Sequence, residues 1–316
     1  MPAPALADEF AREVRDGLGR GGQKTLPCRY LYDALGSALF EAITCLPEYG
    51  LTRADARILR RHARAIAEEL PPNVVVAELG SGSGAKTRPL LEALGRRQNV
   101  TYYPIDVSPA ALARCTDELR AFGTVVPLES SYLDGLRQVA ARHANGETLA
   151  VLFLGSTIGN FAPEAAVDFL WGIHECLRAG DFLLLGTDLV KPAELLLAAY
   201  DDPTGVTAAF NLNLLARINR ELDANFNLRQ FAHLARYDPD TQRIEMHLRS
   251  LGRQTVRVRK AELAVEFEAG ETIFTEACHK FQPAQVADMA WAAGFRTAAS
   301  WTDCEWPFAE TLLRAV

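Results

Sequence analysis

Several patterns that mark metal sites and disulfide frameworks are missing from this sequence. Its six cysteines include no CxxC pair and no ligand-like spacing, which argues against structural zinc and against a disulfide-stapled fold. The six histidines form neither HxxxH nor HxH, so we predict no metal. Unpaired, scattered cysteines are typical of a reducing compartment, and we expect the protein in the cytoplasm.

Long hydrophobic runs are also missing. The longest apolar stretch, residues 149–161, is interrupted by Gly155, Ser156 and Asn160 and falls short of the ~18 residues that a membrane span needs. The first residues, MPAPALADEFAREVRDG, carry acids early and lack the apolar core of a secretory signal. No internal repeat is evident. We therefore expect a soluble protein with no membrane partner.

An excess of basic residues is missing as well. The net charge is -7, with a pI near 5.5, so the chain as a whole repels phosphate backbones and anionic lipid. This disfavours nucleic acid as a partner. At 316 residues, with 49% hydrophobic and 23% charged residues, the composition is that of an ordinary globular protein of about two ~150-residue domains.

The first half of the chain alternates strand and helix patterns. Apolar residues at helical spacing predict a helix over 52–70, and the β-branched run at 74–79 predicts a strand buried on both faces. Further strands are predicted at 100–105, 123–128, 149–154 and 182–186, with helices over 86–94, 109–122 and 162–177 between them. Alternation of this kind indicates an α/β fold with a parallel, Rossmann-like sheet.

The pattern changes after residue 191. A long helical region reaches about residue 226, and alternating stretches at 244–251 and 255–258 predict antiparallel strands. A helix over 283–293 and a strand over 297–303 then return the chain to the first domain. The sequence thus predicts a second, α+β domain.

A glycine-rich turn, ELGSGSGAKT at 78–87, follows the first buried strand. A phosphate-binding P-loop needs glycine directly before the lysine, where this chain has Ala85, and a dinucleotide fingerprint fails for its third glycine. An NTPase and a hydride-transfer enzyme are therefore disfavoured. The class of protein that remains is a Rossmann-like methyltransferase, whose cofactor, S-adenosylmethionine, has no phosphate. If the chain is such a methyltransferase, Glu78 helps to bind polar groups of the cofactor.

Asp106 closes the second predicted strand, 28 residues after Glu78. In such folds an acid at this place hydrogen-bonds both ribose hydroxyls of a bound nucleoside. The alternative is that Asp106 only caps the helix that begins after Ser108. The glycine turn and Asp106, in this order, favour nucleoside binding.

Eight segments together resemble the histidine Nα-methyltransferase family of ergothioneine biosynthesis. They are YLYDALGSALF at 30–40, LPEYGLTR at 46–53, ELGSGSGAKT at 78–87, FLGSTIGN at 153–160, LLGTDLVK at 184–191, YDDPTGVT at 200–207, RIEM at 243–246 and TEACHKF at 275–281. The resemblance implies a class I methyltransferase domain from 55–190 and 281–316. It also implies a discontinuous substrate-binding domain from 1–54 and 191–280.

The resemblance also implies the residues that bind the cofactor. The family's contacts fall on Gly80, Lys86 and Asp106, and an Asp-Phe pair that meets the adenine falls on Ser131 and Tyr132. Serine replaces the carboxylate that would accept from the adenine amino group, whereas Tyr132 can still stack on the ring.

The methyl acceptor is implied in the same way. The family's amino-acid clamp falls on Tyr32, Tyr49, Asn160 and Tyr200, and we expect Asn160 and Tyr49 to aim the substrate amine for catalysis.

A Glu-x-Ser pair that reads the imidazole ring in the family is Glu276-Ala277-Cys278 here. Because a thiol is a weaker hydrogen-bonding group than a hydroxyl, the side chain of the acceptor is less firmly specified than the chemistry.

The sequence therefore predicts an S-adenosylmethionine-dependent methyltransferase acting on the α-amino group of an amino acid, with L-histidine the first choice and trimethylhistidine (hercynine) the product. The same chemistry on another amino acid or amine is the first alternative. A nucleic-acid methyltransferase is disfavoured because LGSTIGN at 154–160 replaces the Pro-Pro-aromatic element that stacks an extruded base. A binding protein without catalysis, or a P-loop-like NTPase, is a remoter alternative.

Overall fold

The structure is a computed structural model that describes residues 4–144 and 146–316. Its helices are α1 (Pro4–Gly19), α2 (Ala34–Thr44), α3 (Gly50–Glu69), α4 (Arg88–Gly95), α5 (Pro109–Leu119), α6 (Tyr132–Arg142), α7 (Pro163–His174), α8 (Ala193–Tyr200), α9 (Val206–Leu222) and α10 (Pro283–Ala292). Short 3-10 helices cover Cys28–Leu31, Thr157–Asn160, Leu228–Gln230 and Arg259–Ala261.

The strands are interleaved with these helices along the chain. They are β1 (Lys24–Thr25), β2 (Val74–Leu79), β3 (Thr101–Asp106), β4 (Thr124–Val125), β5 (Leu128–Glu129), β6 (Thr148–Phe153), β7 (Phe182–Asp188), β8 (Phe231–Asp238), β9 (Arg243–Ser250), β10 (Gln254–Val258), β11 (Leu263–Phe267), β12 (Thr272–His279), β13 (Phe295–Asp303) and β14 (Phe308–Ala315).

The chain divides into two compact units. Unit 1 comprises Met1–Gly50 and Lys191–Cys278, and unit 2 comprises Leu51–Val190 and His279–Val316. Both units are discontinuous in sequence. Of the helices in the described residues, none is long and apolar enough to cross a bilayer.

Unit 2 is built on one sheet with the strand order β13-β14-β7-β6-β2-β3-β4, in which β5 also pairs with β3. The strands β7, β6, β2, β3, β4 and β5 are parallel, whereas β14 is antiparallel to both of its neighbours. All six residues of β2 are buried, because helices cover both faces of the sheet. This confirms the predicted Rossmann-like α/β class.

The strand order reverses direction at β2. The chain moves from β2 outward to β3 and β4, then returns to β6 on the other side of β2. In doubly wound sheets a ligand binds at the carboxyl ends of the strands beside such a switch point. The turns that follow β2, β3 and β6 therefore lie where a ligand is expected.

Unit 1 contains a sheet with the order β1-β12-β9-β8 and a separate hairpin of β10 and β11. The strands β8 and β9 are antiparallel, as are β10 and β11, so the antiparallel prediction for 244–251 and 255–258 is confirmed, although the two segments belong to different sheets. Helix α9 packs against α2 and β8. Unit 1 is thus an α+β structure.

Two sequence predictions of secondary structure are wrong in detail. The strand predicted over 123–128 is two short pieces, β4 and β5, because Pro127 lies between them and cannot donate to the ladder. The long helix predicted up to residue 226 is broken into α8 and α9. Asp202 accepts hydrogen bonds from the amides of Val206 and Thr207, which begins a new helix after the Pro-Thr-Gly turn.

Candidate active site

The glycine turn after β2 depends on backbone conformations that favour glycine. Gly80 has φ of 73° and Gly84 has φ of 72°. A Cβ on Gly84 would lie 2.6 Å from both Cys115 Sγ and a methyl carbon of Leu119, and one on Gly80 would lie 3.2 Å from the Tyr132 hydroxyl. The turn is therefore closely packed on its inner side, while a Cβ on Gly82 would meet no atom within 4 Å. This open stretch of backbone is suited to approach by a ligand.

Glu78, the acid at the end of β2, faces the interior of the protein, which contradicts its predicted role of receiving polar groups of a ligand. Its carboxylate is 2% exposed and accepts hydrogen bonds from the hydroxyls of Thr87 (2.6 Å) and Tyr102 (2.5 Å). Burial raises the pKa of Glu78 to about 7, against the opposing effect of these two hydrogen bonds and of the Lys86 charge. Glu78 instead ties both ends of the glycine turn to β3.

Asp106 lies at the carboxyl end of β3, next to the glycine turn. One carboxylate oxygen accepts from the Gly82 amide at 3.1 Å and the other from the Ser108 amide at 2.9 Å. The cap of α5 is Ser108, whose hydroxyl accepts from the Ala111 amide. Asp106 is half-buried. Since each carboxylate oxygen can accept a second hydrogen bond, Asp106 retains the capacity to bind a pair of ligand hydroxyls.

We expect Asp106→Ala to weaken the binding of S-adenosylhomocysteine by about 1 to 3 kcal/mol, because buried hydroxyls of the nucleoside would lose their acceptor. Isothermal titration calorimetry measures this directly. Asp168→Ala, which removes an exposed acid of α7, is the matched control and should leave the affinity unchanged. An unaltered affinity in Asp106→Ala would show that Asp106 only holds the glycine turn.

Lys86 is paired with an acid that the sequence analysis missed. Its ammonium lies 2.6 Å from Asp55 Oδ2, and the same oxygen accepts from the Gly155 amide at 3.0 Å. Asp55 is fully buried, whereas the Lys86 side chain is 30% exposed. Asp55 lies four residues before Leu59 and therefore on the apolar face of α3. An acid on an apolar helix face is a signal that the sequence contained. Lys86 is thus fixed on one side by Asp55 and open on the other.

Ser131 and Tyr132 begin α6. Ser131 is exposed, and its hydroxyl donates to the Asp134 carboxylate at 2.6 Å. Tyr132 is half-buried with its ring edge-on to Phe153 and Phe169, at centroid distances of 5.6 and 6.0 Å. The Tyr132 hydroxyl lies against Gly80, so the structure brings this tyrosine to the glycine turn. The assignment of both residues to adenine stays a prediction.

Asn160 ends the 3-10 helix that follows β6. The chain reaches it through two residues with positive φ, Gly155 at 71° and Ser156 at 56°. The Ser156 hydroxyl accepts from the Asp188 amide at 2.8 Å, which ties this turn to the end of β7. Such strain in a non-glycine residue is kept only where the surroundings enforce it. The turn therefore places half-buried Asn160 at the switch-point edge of the sheet.

The predicted substrate tyrosines meet in one aromatic cluster of unit 1. The Tyr49 and Tyr200 rings are 6.0 Å apart between centroids, and Phe40 lies 6.4 Å from Tyr49 and 5.5 Å from Tyr32. Tyr49 and Tyr200 are 7% and 8% exposed, and Tyr32 is 39% exposed. Phe210 packs against both Tyr32 and Phe40. The structure thus brings Tyr32, Tyr49 and Tyr200 together.

Glu276 and Cys278 are buried neighbours on β12, at 7% and 5% exposure. Residues two apart on a strand share a face of the sheet, as the Glu-x-Cys spacing requires. The thiol of Cys28 lies near enough that burial, together with the Glu276 charge, raises the pKa of Cys28 to about 12. Cys28 is therefore a further neighbour of Glu276, and nothing in its sequence surroundings indicated this.

The backbone carbonyl of Tyr200 is hydrogen-bonded to a histidine that the sequence analysis also missed. His233 Nε2 lies 2.8 Å from the Tyr200 carbonyl oxygen, and Nδ1 lies 2.9 Å from the Asn211 amide nitrogen. Nε2 therefore carries the proton, and Nδ1 accepts. Burial lowers the pKa of His233, which favours this neutral form.

Among the described residues, no group of three or more His, Cys, Asp and Glu side chains is arranged to hold a metal ion.

Comparison with known proteins places this arrangement in a family. The family model described as histidine-specific methyltransferase, SAM-dependent, matches residues 10–315. The chain belongs to this family. It is therefore an S-adenosylmethionine-dependent methyltransferase of class I fold, and its cofactor is S-adenosyl-L-methionine.

Three relatives show the spread of the family. The chain is 44% identical over 293 residues to the histidine N-alpha-methyltransferase of Mycobacterium tuberculosis (strain CDC 1551 / Oshkosh), covering 92% of this chain and 90% of that protein. It is 42% identical over 304 residues to the enzyme of the same name from Mycolicibacterium smegmatis, covering 96% and 94%. It is also 25% identical over 320 residues to an L-tryptophan methyltransferase of Psilocybe serbica, covering 93% and 89%.

The residues of unit 2 fit the family's cofactor. The glycine turn offers open backbone at Gly82, Asp106 offers free acceptor capacity at the end of β3, and Lys86 presents an ammonium. When bound, S-adenosylmethionine supplies a methyl group on a sulfonium, which is already a strong electrophile. The chain's own residues must orient the acceptor and keep its amine unprotonated.

Proposed function

We propose that this methyltransferase transfers methyl groups to the α-amino group of L-histidine and produces trimethylhistidine (hercynine), the chemistry of ergothioneine biosynthesis, in the cytoplasm. The observation that carries the proposal is Glu276, a carboxylate buried at 7% exposure on β12 and flanked on the same face by Cys278. A buried acceptor of this kind suits a ring N–H of imidazole. Relatives 42–44% identical over nearly the whole chain support it.

The remaining polar groups of unit 1 suit an amino acid. The hydroxyls of Tyr32, Tyr49 and Tyr200 can hold a carboxylate and an amine without competing as nucleophiles. The apolar neighbours Phe40 and Phe210 reduce access of water, which strengthens these hydrogen bonds. We assign these tyrosines to the acceptor. Nucleic acid is not proposed as a partner, since the net charge of -7 opposes it.

The reaction is an in-line displacement in which the amine attacks the methyl carbon, so alignment provides much of the rate. An ammonium has no lone pair, and the substrate must lose a proton before each transfer. We assign to Asn160 and Tyr49 the task of directing the amine: in the first transfer the carboxamide oxygen of Asn160 and the hydroxyl of Tyr49 can each accept one N–H and leave the lone pair free.

Product masses after incubation with S-adenosylmethionine and each proteinogenic amino acid test the proposal. We expect histidine alone to gain three methyl groups. Calorimetry run in parallel should detect S-adenosylhomocysteine and no binding of ATP or NAD. Methylation of another amino acid in preference to histidine would replace the substrate, and the relative named for L-tryptophan makes an aromatic side chain the second candidate.

A further inference from the structure

A pair of buried carboxyl groups lies behind Lys86, and the reaction makes no use of it. Asp55 in α3 and Glu310 in β14 are both 0% exposed. Asp55 Oδ2 accepts from Lys86 and from the Gly155 amide, whereas Asp55 Oδ1 and both oxygens of Glu310 have no hydrogen-bond donor among the described residues. Three buried carboxylate oxygens without a donor would be costly, and such groups are rare in folded proteins.

The two carboxyl groups face each other. Glu310 lies within hydrogen-bonding range of Asp55, and its oxygens are positioned by β14, which places Glu310 opposite Gly186 of β7. A Cβ on Gly186 would lie 2.7 Å from Glu310 Oε1 and 3.2 Å from the Gly155 amide nitrogen. The missing side chain of Gly186 thus makes the space for the Glu310 carboxyl group.

Counting charges decides the protonation of this cluster. Lys86 contributes one positive charge, and Asp55 alone balances it. A second carboxylate would leave a buried negative charge facing Asp55, with Glu78 also nearby. Burial and the Asp55 charge both raise the pKa of Glu310 well above its ordinary value, against the weaker opposing effect of Lys86. A proton on Glu310 gives Asp55 Oδ1 the donor that it lacks.

We propose that Asp55 and Glu310 share one proton at neutral pH, and that Glu310 acts as a positioning residue which, through Asp55, fixes the ammonium of Lys86 for the cofactor. Asp55 is then held at both oxygens, by Glu310 on one side and by Lys86 and Gly155 on the other. The anionic group of S-adenosylmethionine is its carboxylate, so that group is the partner that the open side of Lys86 suits. This part rests on the proposed assignment of Lys86 to the cofactor.

Infrared difference spectroscopy of the whole protein tests the shared proton without any ligand. The spectrum of the parent minus that of Glu310→Gln should contain the carbonyl band of a protonated carboxylic acid. The contribution of Glu78 is present in both spectra and cancels, so the band belongs to the Asp55–Glu310 pair. In the Asp55→Asn background Glu310 should ionise to balance Lys86, so the same Glu310→Gln difference spectrum should lack the band although Glu310 is still present. Asp181→Asn, which alters a buried acid before β7, is the control and should keep the band. A parent-minus-Glu310→Gln difference spectrum without the band overturns the shared proton.

Calorimetry with S-adenosylhomocysteine tests the positioning role. Glutamine mimics the protonated acid, so Glu310→Gln should bind within about threefold of the parent, whereas Glu310→Ala should bind at least about tenfold more weakly. The affinity of the parent should fall at alkaline pH as Glu310 ionises, and that of Glu310→Gln should not. Equal loss in both variants, or the same pH profile, overturns the positioning role. If the parent binds no S-adenosylhomocysteine, the cofactor assignment of Lys86 fails, and the infrared result still decides the shared proton.

Discussion

Asn160→Ala should lower the turnover number by roughly 100- to 1000-fold, because the substrate amine would no longer be directed at the methyl carbon and misalignment of this kind is costly. The affinity for S-adenosylhomocysteine should change by less than about threefold, since the residue is assigned to the methyl acceptor. Initial rates at saturating substrates give the first quantity, and calorimetry gives the second.

The matched control is Asn99→Ala, an exposed asparagine in the segment before β3, at the opposite end of the strands from Asn160. It should leave rate and affinity unaltered. Two backbone features support a fixed position for Asn160: the positive φ of Ser156 and the hydrogen bond from the Asp188 amide to the Ser156 hydroxyl. Unchanged turnover in Asn160→Ala would remove the residue from the reaction.

Glu276→Ala should make histidine a poor substrate. A ring N–H of bound imidazole would lose its acceptor in a buried environment, at a cost of roughly 1 to 3 kcal/mol in kcat/KM, or about 5- to 150-fold. Smaller or apolar amino acids should lose less, because they have no donor to strand. Competition assays with histidine and a second amino acid measure the ratio directly. Glu266→Ala, an exposed acid on β11, is the control.

A substitution at Cys278 tests the same pocket and should change the affinity for histidine in the opposite direction. Restoring a hydroxyl with Cys278→Ser should raise the affinity for histidine, since a short O–H contact replaces a longer and weaker sulfur contact. If Cys278→Ser lowers activity instead, or if Glu276→Ala leaves histidine turnover intact, the pocket is matched to another side chain.

The methyltransferase unit was more predictable from the sequence than its partner unit. The strand predicted over 74–79 is β2 to the residue, because β-branched residues bounded by Pro-Pro-Asn and glycine leave few alternatives. Asp106 was recognisable because it closes a predicted strand, whereas Asn160 was assigned through the family resemblance. By contrast, β8 and β12 alternate incompletely between buried and exposed residues, and the sequence analysis assigned no strand to either.

What the sequence could not supply is the direction in which buried polar groups face. Glu78 has the right position for ligand binding, yet Thr87 and Tyr102 turn it inward. Glu310 lies in a strand whose first six residues are all buried, so it carries no periodic signal. Glu78 is turned by Thr87, 9 residues away in sequence, and Glu310 faces Asp55, 255 residues away. Local sequence patterns do not encode either pairing.

Strand β14 has a consequence for how the enzyme is made. It lies between β13 and β7, antiparallel to both, and follows all the other strands of this sheet in sequence. Until it is synthesised, β7 presents an unpaired edge, which is a hazard for aggregation in a partly folded chain. Glu310 is synthesised with β14, so the support behind Lys86 forms only after the other strands of the unit 2 sheet are available. A chain that ended before β14 would bear every recognisable methyltransferase motif of unit 2 and still lack the acid that completes it.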